Sequence, residues 1–305
     1  MNVKVRQNVF PVLAALIWGT AFVAQSISTD FVEPMTFNAL RSLVAFVVLV
    51  VVLLAFRAWK ARRPLEESPA AKPSGSRRDL VLGGICCGTA LAVASNLQQA
   101  GLAETSAGKA GFITALYIVI VPVLGLFLRK KAPLTVWFGV VLALTGLYFL
   151  CVTDRFAIQS SDLMVVLSAF IFSVHILLID HFTARVDGVA LSCAQFLVAA
   201  LLSSLGMLLF EHPNWQGILQ CLWPILYVGV FSSGVAYTLQ ILAQKDANPT
   251  VVSLLLSLES VFSVLAGAVI LGDRLTGREI FGCVLMFAAV VLAQVPMGKR
   301  RAAAL

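Results

Sequence analysis

The chain has 305 residues, of which 60% are hydrophobic and only 12% are charged, and its mean hydropathy is +0.95. Because a soluble domain has about a quarter of its residues charged, this composition excludes an ordinary soluble globule and, more firmly, an intrinsically disordered chain. It predicts an integral membrane protein with the lipid bilayer as its solvent.

Ten stretches come close to the roughly 20 mostly apolar residues that a membrane helix needs. We number these predicted spans 1 to 10: 9–27, 34–56, 80–101, 107–128, 135–152, 162–180, 189–209, 219–241, 250–271 and 278–296. Most connections between them are short, which favours antiparallel neighbours. The exception is 57–79, where Pro64, Pro69 and Pro73 accompany seven basic residues and predict a flexible polar loop.

The basic residues predict the orientation of the chain. With the N-terminus in the cytoplasm, 17 of the 22 lysines and arginines fall on the cytoplasmic side, four fall outside, and Arg41 lies within span 2. This bias predicts that both termini and the loop 57–79 are cytoplasmic. It also explains the net charge of +7 without a nucleic acid partner. The compact loops and the absence of a transit peptide favour the inner or plasma membrane of a bacterium.

The two halves of the chain resemble each other. Residues 14–25 align with 168–179 at an offset of 154, and residues 98–125 align with 240–267 at an offset of 142. Each half, 1–154 and 155–305, has five spans, so the second half enters the membrane from the opposite side. The predicted fold is therefore an all-α integral membrane protein of ten transmembrane helices in two inverted five-helix repeats. Such repeats are common in secondary transporters, with the substrate site near the midplane.

Several short motifs occur in a consistent order along the ten spans: Trp18 and Gly19, then Pro34, Phe37 and Arg41, then 106–112 followed by Tyr117 and Pro122, then Tyr237, Gln240 and Gln244, then 257–259, and finally 271–275. In these motifs the chain resembles the drug/metabolite transporter superfamily, specifically its EamA type. One departure is Asp273, where the family usually has Glu.

The resemblance implies a carrier for small organic metabolites, often an exporter. Spans 1–4 and 6–9 would surround a central cavity, while spans 5 and 10 would lie to the side and support packing or a homodimer.

Three ionisable residues within the spans are candidates for substrate binding, because such residues are costly in lipid and usually functional. Glu259 could bind a substrate amine or couple transport to protons, or it could bond to a neighbouring helix. Arg41 could bind a substrate carboxylate, although pairing with a backbone carbonyl or with Glu259 is favoured. His175 could relay protons, but an interior histidine held by a hydrogen bond is the simpler interpretation.

Neutral polar and aromatic residues complete the candidate cavity. Asn96, Gln98, Tyr237 and Gln240 must face protein or a water-filled space, as lining or as interhelical hydrogen-bonding groups. Trp18 and Phe172 coincide at the repeat offset and could form an aromatic wall.

Sequence motifs for direct ATP use and for common enzyme chemistry are missing. The chain has no G-x-x-x-x-G-K-[ST] loop, no HExxH, no G-x-S-x-G and no Cys/His zinc pattern. We interpret its six cysteines as apolar packing residues with free thiols. The sequence therefore predicts no cofactor, no metal and no enzymatic activity.

The preferred hypothesis is a secondary transporter that exports a small neutral or zwitterionic, amino-acid-like metabolite by alternating access. One alternative is a lipid-handling membrane enzyme, for which only His181 with Asp180 and Asp187 offers a candidate cluster. The other is a membrane scaffold or receptor that does not transport, which would not need matched polar residues in both repeats.

Overall fold

The computed structural model describes residues 3–61, 76–105, 107–130, 132–151, 159–245, 247–271 and 275–294. All regular structure in these ranges is helical, as the sequence predicted. The helices are α1 Val3–Ser28, α2 Pro34–Ala61, α3 Arg77–Leu102, α4 Ala107–Thr114, α5 Tyr117–Phe127, α6 Leu134–Cys151, α7 Ser160–Thr183, α8 Gly188–Phe210, α9 Trp215–Gln220, α10 Leu222–Tyr227, α11 Tyr237–Gln244, α12 Pro249–Leu256, α13 Glu259–Ala266 and α14 Gly277–Gln294. Wide π-helical turns occupy Val228–Ala236 and Gly267–Leu271.

Eight stretches of the described chain are long and apolar enough to cross a membrane: Arg6–Ser28, Pro34–Phe56, Arg77–Leu102, Lys109–Phe127, Ser160–Thr183, Gly188–Phe210, Leu222–Gln244 and Pro249–Ile270. They correspond to predicted spans 1–4 and 6–9. Predicted spans 5 and 10 are helices α6 and α14, which have 18 residues each. At 1.5 Å per residue each is about 27 Å long, slightly less than a typical hydrocarbon core.

Spans 4 and 9 are broken at matching positions. The break between α4 and α5 falls at residues 115–116, and the break between α12 and α13 falls at 257–258. At both breaks a backbone hydrogen bond spans three residues (i→i−3) instead of the four of an α-helix. Leu116 N–H donates to Ile113 O, and Leu258 N–H donates to Leu255 O. These paired residues are 142 positions apart, the offset that aligns the two halves.

Glycines bring several helices into close contact. A Cβ at Gly19 would lie 2.5 Å from Phe262 Cβ, so α1 packs tightly on α13. Gly84 and Gly88 lie against Ala194 and Val198, which places the GxxxG sequence of α3 at an internal contact with α8. α6 packs on α14, where Gly146 faces the Gly282 carbonyl oxygen.

Some predicted features lie outside the described residues. These are most of the loop 57–79, Asp273, and the basic segment 299–301.

Candidate functional site

A cavity lies among the helices near the two breaks. Its volume is about 40 Å³, enough for only a few water molecules. The lining residues are Trp18, Phe22, Gln25, Arg41, Gln98, Thr114, Tyr117, Phe172, His175, Ile176, Ser232, Tyr237, Gln240, Leu256 and Glu259. Eight of the nine residues predicted from the sequence are in this set, and Asn96 is the exception.

The carboxylate of Glu259 meets the hydroxyl of Tyr117 across the cavity. Tyr117 Oη donates to Glu259 Oε1 at 2.9 Å, and Glu259 is only 4% exposed. Tyr117 is the first residue of α5 and Glu259 the first of α13, so each directly follows a helix break. The two residues are 142 positions apart, and this bond therefore joins equivalent points of the two halves.

The guanidinium of Arg41 is held by its own helix rather than by Glu259. Arg41 Nε donates to Asn38 Oδ1 at 2.6 Å, and the guanidinium carbon lies 5.9 Å from the centroid of the Phe37 ring. Among the described residues no ion pair joins Arg41 to Glu259. Of the two structural pairings considered from the sequence, the one with Glu259 is therefore not formed. The cavity holds one cation and one carboxylate that do not neutralise each other directly.

The ring of Tyr237 packs near three other aromatic rings. Its ring centroid lies 4.8 Å from that of Trp18, 6.0 Å from that of His175 and 5.5 Å from that of Phe196. Trp18 is fixed in turn, because its Nε1–H donates to the Ser232 carbonyl at 3.2 Å. Ser232 lies in the π-helical segment Val228–Ala236, and such segments occur frequently at functional sites.

Two polar atoms of the lining have no hydrogen-bond partner among the described residues. They are Gln240 Oε1 and His175 Nδ1, on side chains that are 2% and 1% exposed. The other imidazole nitrogen, His175 Nε2, is 3.1 Å from Gln195 Oε1. Because buried polar groups normally have a partner, these two atoms can receive a polar ligand. By contrast, the repeat partner of Gln240, Gln98, already donates to Thr114 Oγ1 at 3.0 Å.

Asn96 lies outside the cavity lining and joins three helices instead. Its Oδ1 accepts from Asn38 at 3.0 Å, and its Nδ2 donates to Ser203 Oγ at 2.9 Å and to the Ala92 carbonyl at 2.8 Å. These contacts join α3 to α2 and α8. All its polar groups are used, so its position favours the interhelical interpretation that the sequence left open.

Seven lining residues were not among the predicted ones: Phe22, Gln25, Thr114, Tyr117, Ile176, Ser232 and Leu256. A repeat offset applied to a predicted residue finds only Tyr117, although four more of the seven match each other. At an offset of 142, Tyr117 matches Glu259 and Thr114 matches Leu256. At an offset of 154, Phe22 matches Ile176.

The polar residues near the end of α7 have structural partners. Asp180 forms an ion pair with Lys130, and the Asp187 carboxylate caps α8 by accepting from Ala190 N–H at 2.9 Å. The His181 ring packs on Phe182 at 5.0 Å between centroids. The described residues also contain no group of three or more potential metal ligands. Nothing in this arrangement favours the lipid-handling enzyme.

Comparison with known proteins agrees with the resemblance seen in the sequence. The EamA-like transporter family matches residues 7–152 and again residues 159–294. An uncharacterized transporter of Archaeoglobus fulgidus is 27% identical over 93% of this chain and 84% of its own length. The uncharacterized transporter YoaV of Bacillus subtilis is 21% identical over 98% of this chain and 99% of its own. A solved crystal structure shares the fold, with a TM-score of 0.76 and 21% identity over 94% of this chain and 96% of that one.

Proposed function

Because the chain belongs to the EamA-like transporter family, and so is a multi-pass membrane transporter, we propose that it is a secondary transporter for a small zwitterionic, amino-acid-like metabolite. In this proposal the solute crosses by alternating access through the cavity at the helix breaks. The observation that carries the proposal is the content of that cavity: one carboxylate, one guanidinium and two unpartnered polar atoms on aromatic walls.

The chemistry of the lining favours a zwitterion over other solutes. Arg41 offers a cation to a carboxylate, while Glu259, Gln240 Oε1 and His175 Nδ1 offer acceptors to an ammonium group. Arg41, Tyr237 and Glu259 all line this cavity, so the two charged ends of a short molecule can be bound within it. A polyanion such as a sugar phosphate would need several cations, and the described lining has one.

Internal symmetry supports an inverted repeat. The family matches the chain twice, the two breaks are 142 residues apart, and the lining contains pairs related by the repeat offsets. Helix contacts repeat in the same way: α1 packs on α13 as α7 packs on α5, and α6 packs on its counterpart α14. Two equivalent halves around one site are the architecture that alternating access uses.

The small volume of the cavity supports a conformational change during transport. A space of about 40 Å³ holds only a few water molecules, so the proposal requires the helices to separate before a substrate enters. The matched breaks in spans 4 and 9 are natural hinges, since the i→i−3 turns interrupt the regular α-helical bonding there.

Direction and orientation are part of the proposal. The family resemblance supports export, and the distribution of basic residues supports cytoplasmic termini in an inner or plasma membrane. Helices α6 and α14 remain the candidate surface for a homodimer, because the described lining of the cavity does not involve them.

Counterflow in proteoliposomes tests this function. Purified protein is reconstituted with an internal pool of unlabelled amino acid, and entry of the labelled amino acid is followed for a panel that includes L-leucine, L-phenylalanine and L-serine. We expect saturable counterflow for at least one apolar member. Absence of counterflow for every amino acid, with correctly folded protein, would overturn the proposed substrate class and would be the result expected of a scaffold.

A pair of variants connects this flux to the cavity. Gln240→Leu removes the unpartnered amide and should raise the KM about tenfold, the usual effect of one lost hydrogen bond to a ligand. Gln216→Leu makes the same chemical change at an exposed position and should leave the KM unchanged. Equal KM values for the two variants would contradict the placement of the substrate beside Gln240.

A further inference from the structure

We propose that Glu259 is the binding site of a coupling proton, and that the ammonium group of the substrate displaces this proton from the carboxyl group. The carrier then exchanges one proton for one substrate molecule. This inference rests on the proposed function and adds the coupling ion, the residue that binds it and the reason for the exchange.

The surroundings of Glu259 leave its carboxylate without a permanent cation. It is 4% exposed, it is the sole carboxylate among the described lining residues, and its hydrogen-bond partner there is the neutral hydroxyl of Tyr117. In the described part of the chain no lysine, arginine or histidine forms an ion pair with it. A buried carboxylate without a cation is costly in free energy. Binding either a proton or an ammonium group removes that cost.

Other titratable groups share the cavity but do not take this role. Tyr117 donates a hydrogen bond to Glu259 from α5, while Tyr237 lines the cavity from α11, His175 from α7 and Arg41 from α2. The other described lining residues do not titrate: Trp18, Phe22, Gln25, Gln98, Thr114, Phe172, Ile176, Ser232, Gln240 and Leu256.

His175 is the alternative proton carrier, and the structure favours Glu259 over it. His175 Nε2 is already within hydrogen-bonding distance of Gln195 Oε1 on α8, at 3.1 Å. Glu259 instead directly follows the break between α12 and α13, and its partner Tyr117 directly follows the break between α4 and α5. The Tyr117–Glu259 hydrogen bond therefore joins the two hinges and depends on the distance between them.

Proton–substrate exchange follows because the proton and the ammonium group bind the same carboxylate and cannot occupy it together. When the proton is bound, an ammonium group finds no negative charge on Glu259. When the proton leaves to the adjacent aqueous side, the O–H bond of the carboxyl breaks, the electron pair stays on oxygen, and the ammonium N–H groups can donate to it. The Tyr117 hydroxyl donates to Glu259 Oε1 and leaves the second carboxylate oxygen for the substrate or the proton.

Proton release on substrate binding tests this inference directly. L-leucine is added to the purified protein in weakly buffered detergent solution, and the pH of the solution is recorded. We expect release of about one proton per bound leucine at pH values where the site is protonated, with apparent affinity rising by up to about tenfold per pH unit. The isosteric acid without the amine, 4-methylpentanoate, should release none.

Four variants identify the group that releases the proton. Glu259→Gln should abolish the release and make the leucine affinity independent of pH. Tyr117→Phe should shift the pH profile of leucine binding, because the carboxylate loses its hydrogen-bond donor. His175→Gln should still release about one proton per bound leucine, measured at leucine concentrations that saturate the variant. Glu104→Gln, the same change at an exposed position, should behave as the native chain.

The outcomes separate this inference from the proposed function. Leucine counterflow without proton release in the native chain would overturn the inference and leave the carrier as a facilitator. Release that persists in Glu259→Gln, or that vanishes in His175→Gln although leucine still binds, would also overturn it. Absence of both counterflow and binding for every amino acid of the panel would instead contradict the proposed function, and if another member is transported in place of leucine, that amino acid is used in this experiment.

Discussion

The two side-chain amides at Asn96 and Gln240 show how similar groups acquire different roles. Asn96 bonds to Asn38, Ser203 and the Ala92 carbonyl, so its polar groups are fully used between helices. Gln240 is more deeply buried than Asn96, yet its oxygen has no partner among the described residues. The first arrangement stabilises the fold, and the second leaves a group available to a ligand.

Substitution of Asn96 should therefore affect stability and spare substrate affinity. We expect Asn96→Ala to lower the free energy of unfolding by about 1 kcal/mol, because interhelical hydrogen bonds in membrane proteins are individually weak. The measurements are thermal unfolding in detergent and the KM for L-leucine. A KM raised as much as in Gln240→Leu, with unchanged thermal stability, would contradict this assignment.

At the scale of the element, close helix contacts position the breaks. Gly19 allows α1 to approach α13 at Phe262, just beyond Glu259. Gly111 is also helical, but a Cβ built there meets no atom within 4 Å. The two glycines therefore provide a matched pair for testing whether the α1–α13 contact must be tight.

We expect Gly19→Ala to destabilise the protein by about 1–3 kcal/mol, because the added methyl group forces the two helices apart. Gly111→Ala should change the stability by less than about 1 kcal/mol, since it adds a methyl group in open space and favours the helix. Thermal unfolding of the two variants side by side measures the difference. Equal stability would show that the α1–α13 contact is looser than described.

Hydropathy predicted the helices better than their interruptions. Continuous apolar runs identified spans 4 and 9, but Ala115–Leu116 and Ser257–Leu258 carry no proline or glycine that would indicate a break. The i→i−3 turns there depend on tertiary packing, and Ser257 Oγ, which donates to the Leu254 carbonyl, is the one local contribution we identify. The Arg41–Asn38 contact was not predicted, although its i,i+3 spacing on one helix permits it, and the Tyr117–Glu259 bond can be anticipated only from the repeat offset.

At the scale of the whole molecule, the two halves contribute paired residues to one small cavity. Trp18 and Phe172, Gln98 and Gln240, and Tyr117 and Glu259 are pairs at the repeat offsets, and all six side chains line the cavity. The pairs are equivalent in position but different in chemistry. In the proposed mechanism the symmetric scaffold opens in two directions, while the asymmetric lining binds a zwitterion in one orientation.

The measurement that tests this account most directly is the accessibility of the cavity from the two sides of the membrane. Gln98→Cys is introduced into a variant whose native cysteines are replaced, and a membrane-impermeant maleimide is applied separately to intact cells and to inside-out vesicles. The account predicts labelling from both sides, with each reaction slowed by a transported amino acid. Labelling from one side only, unaffected by that amino acid, would contradict alternating access through this cavity.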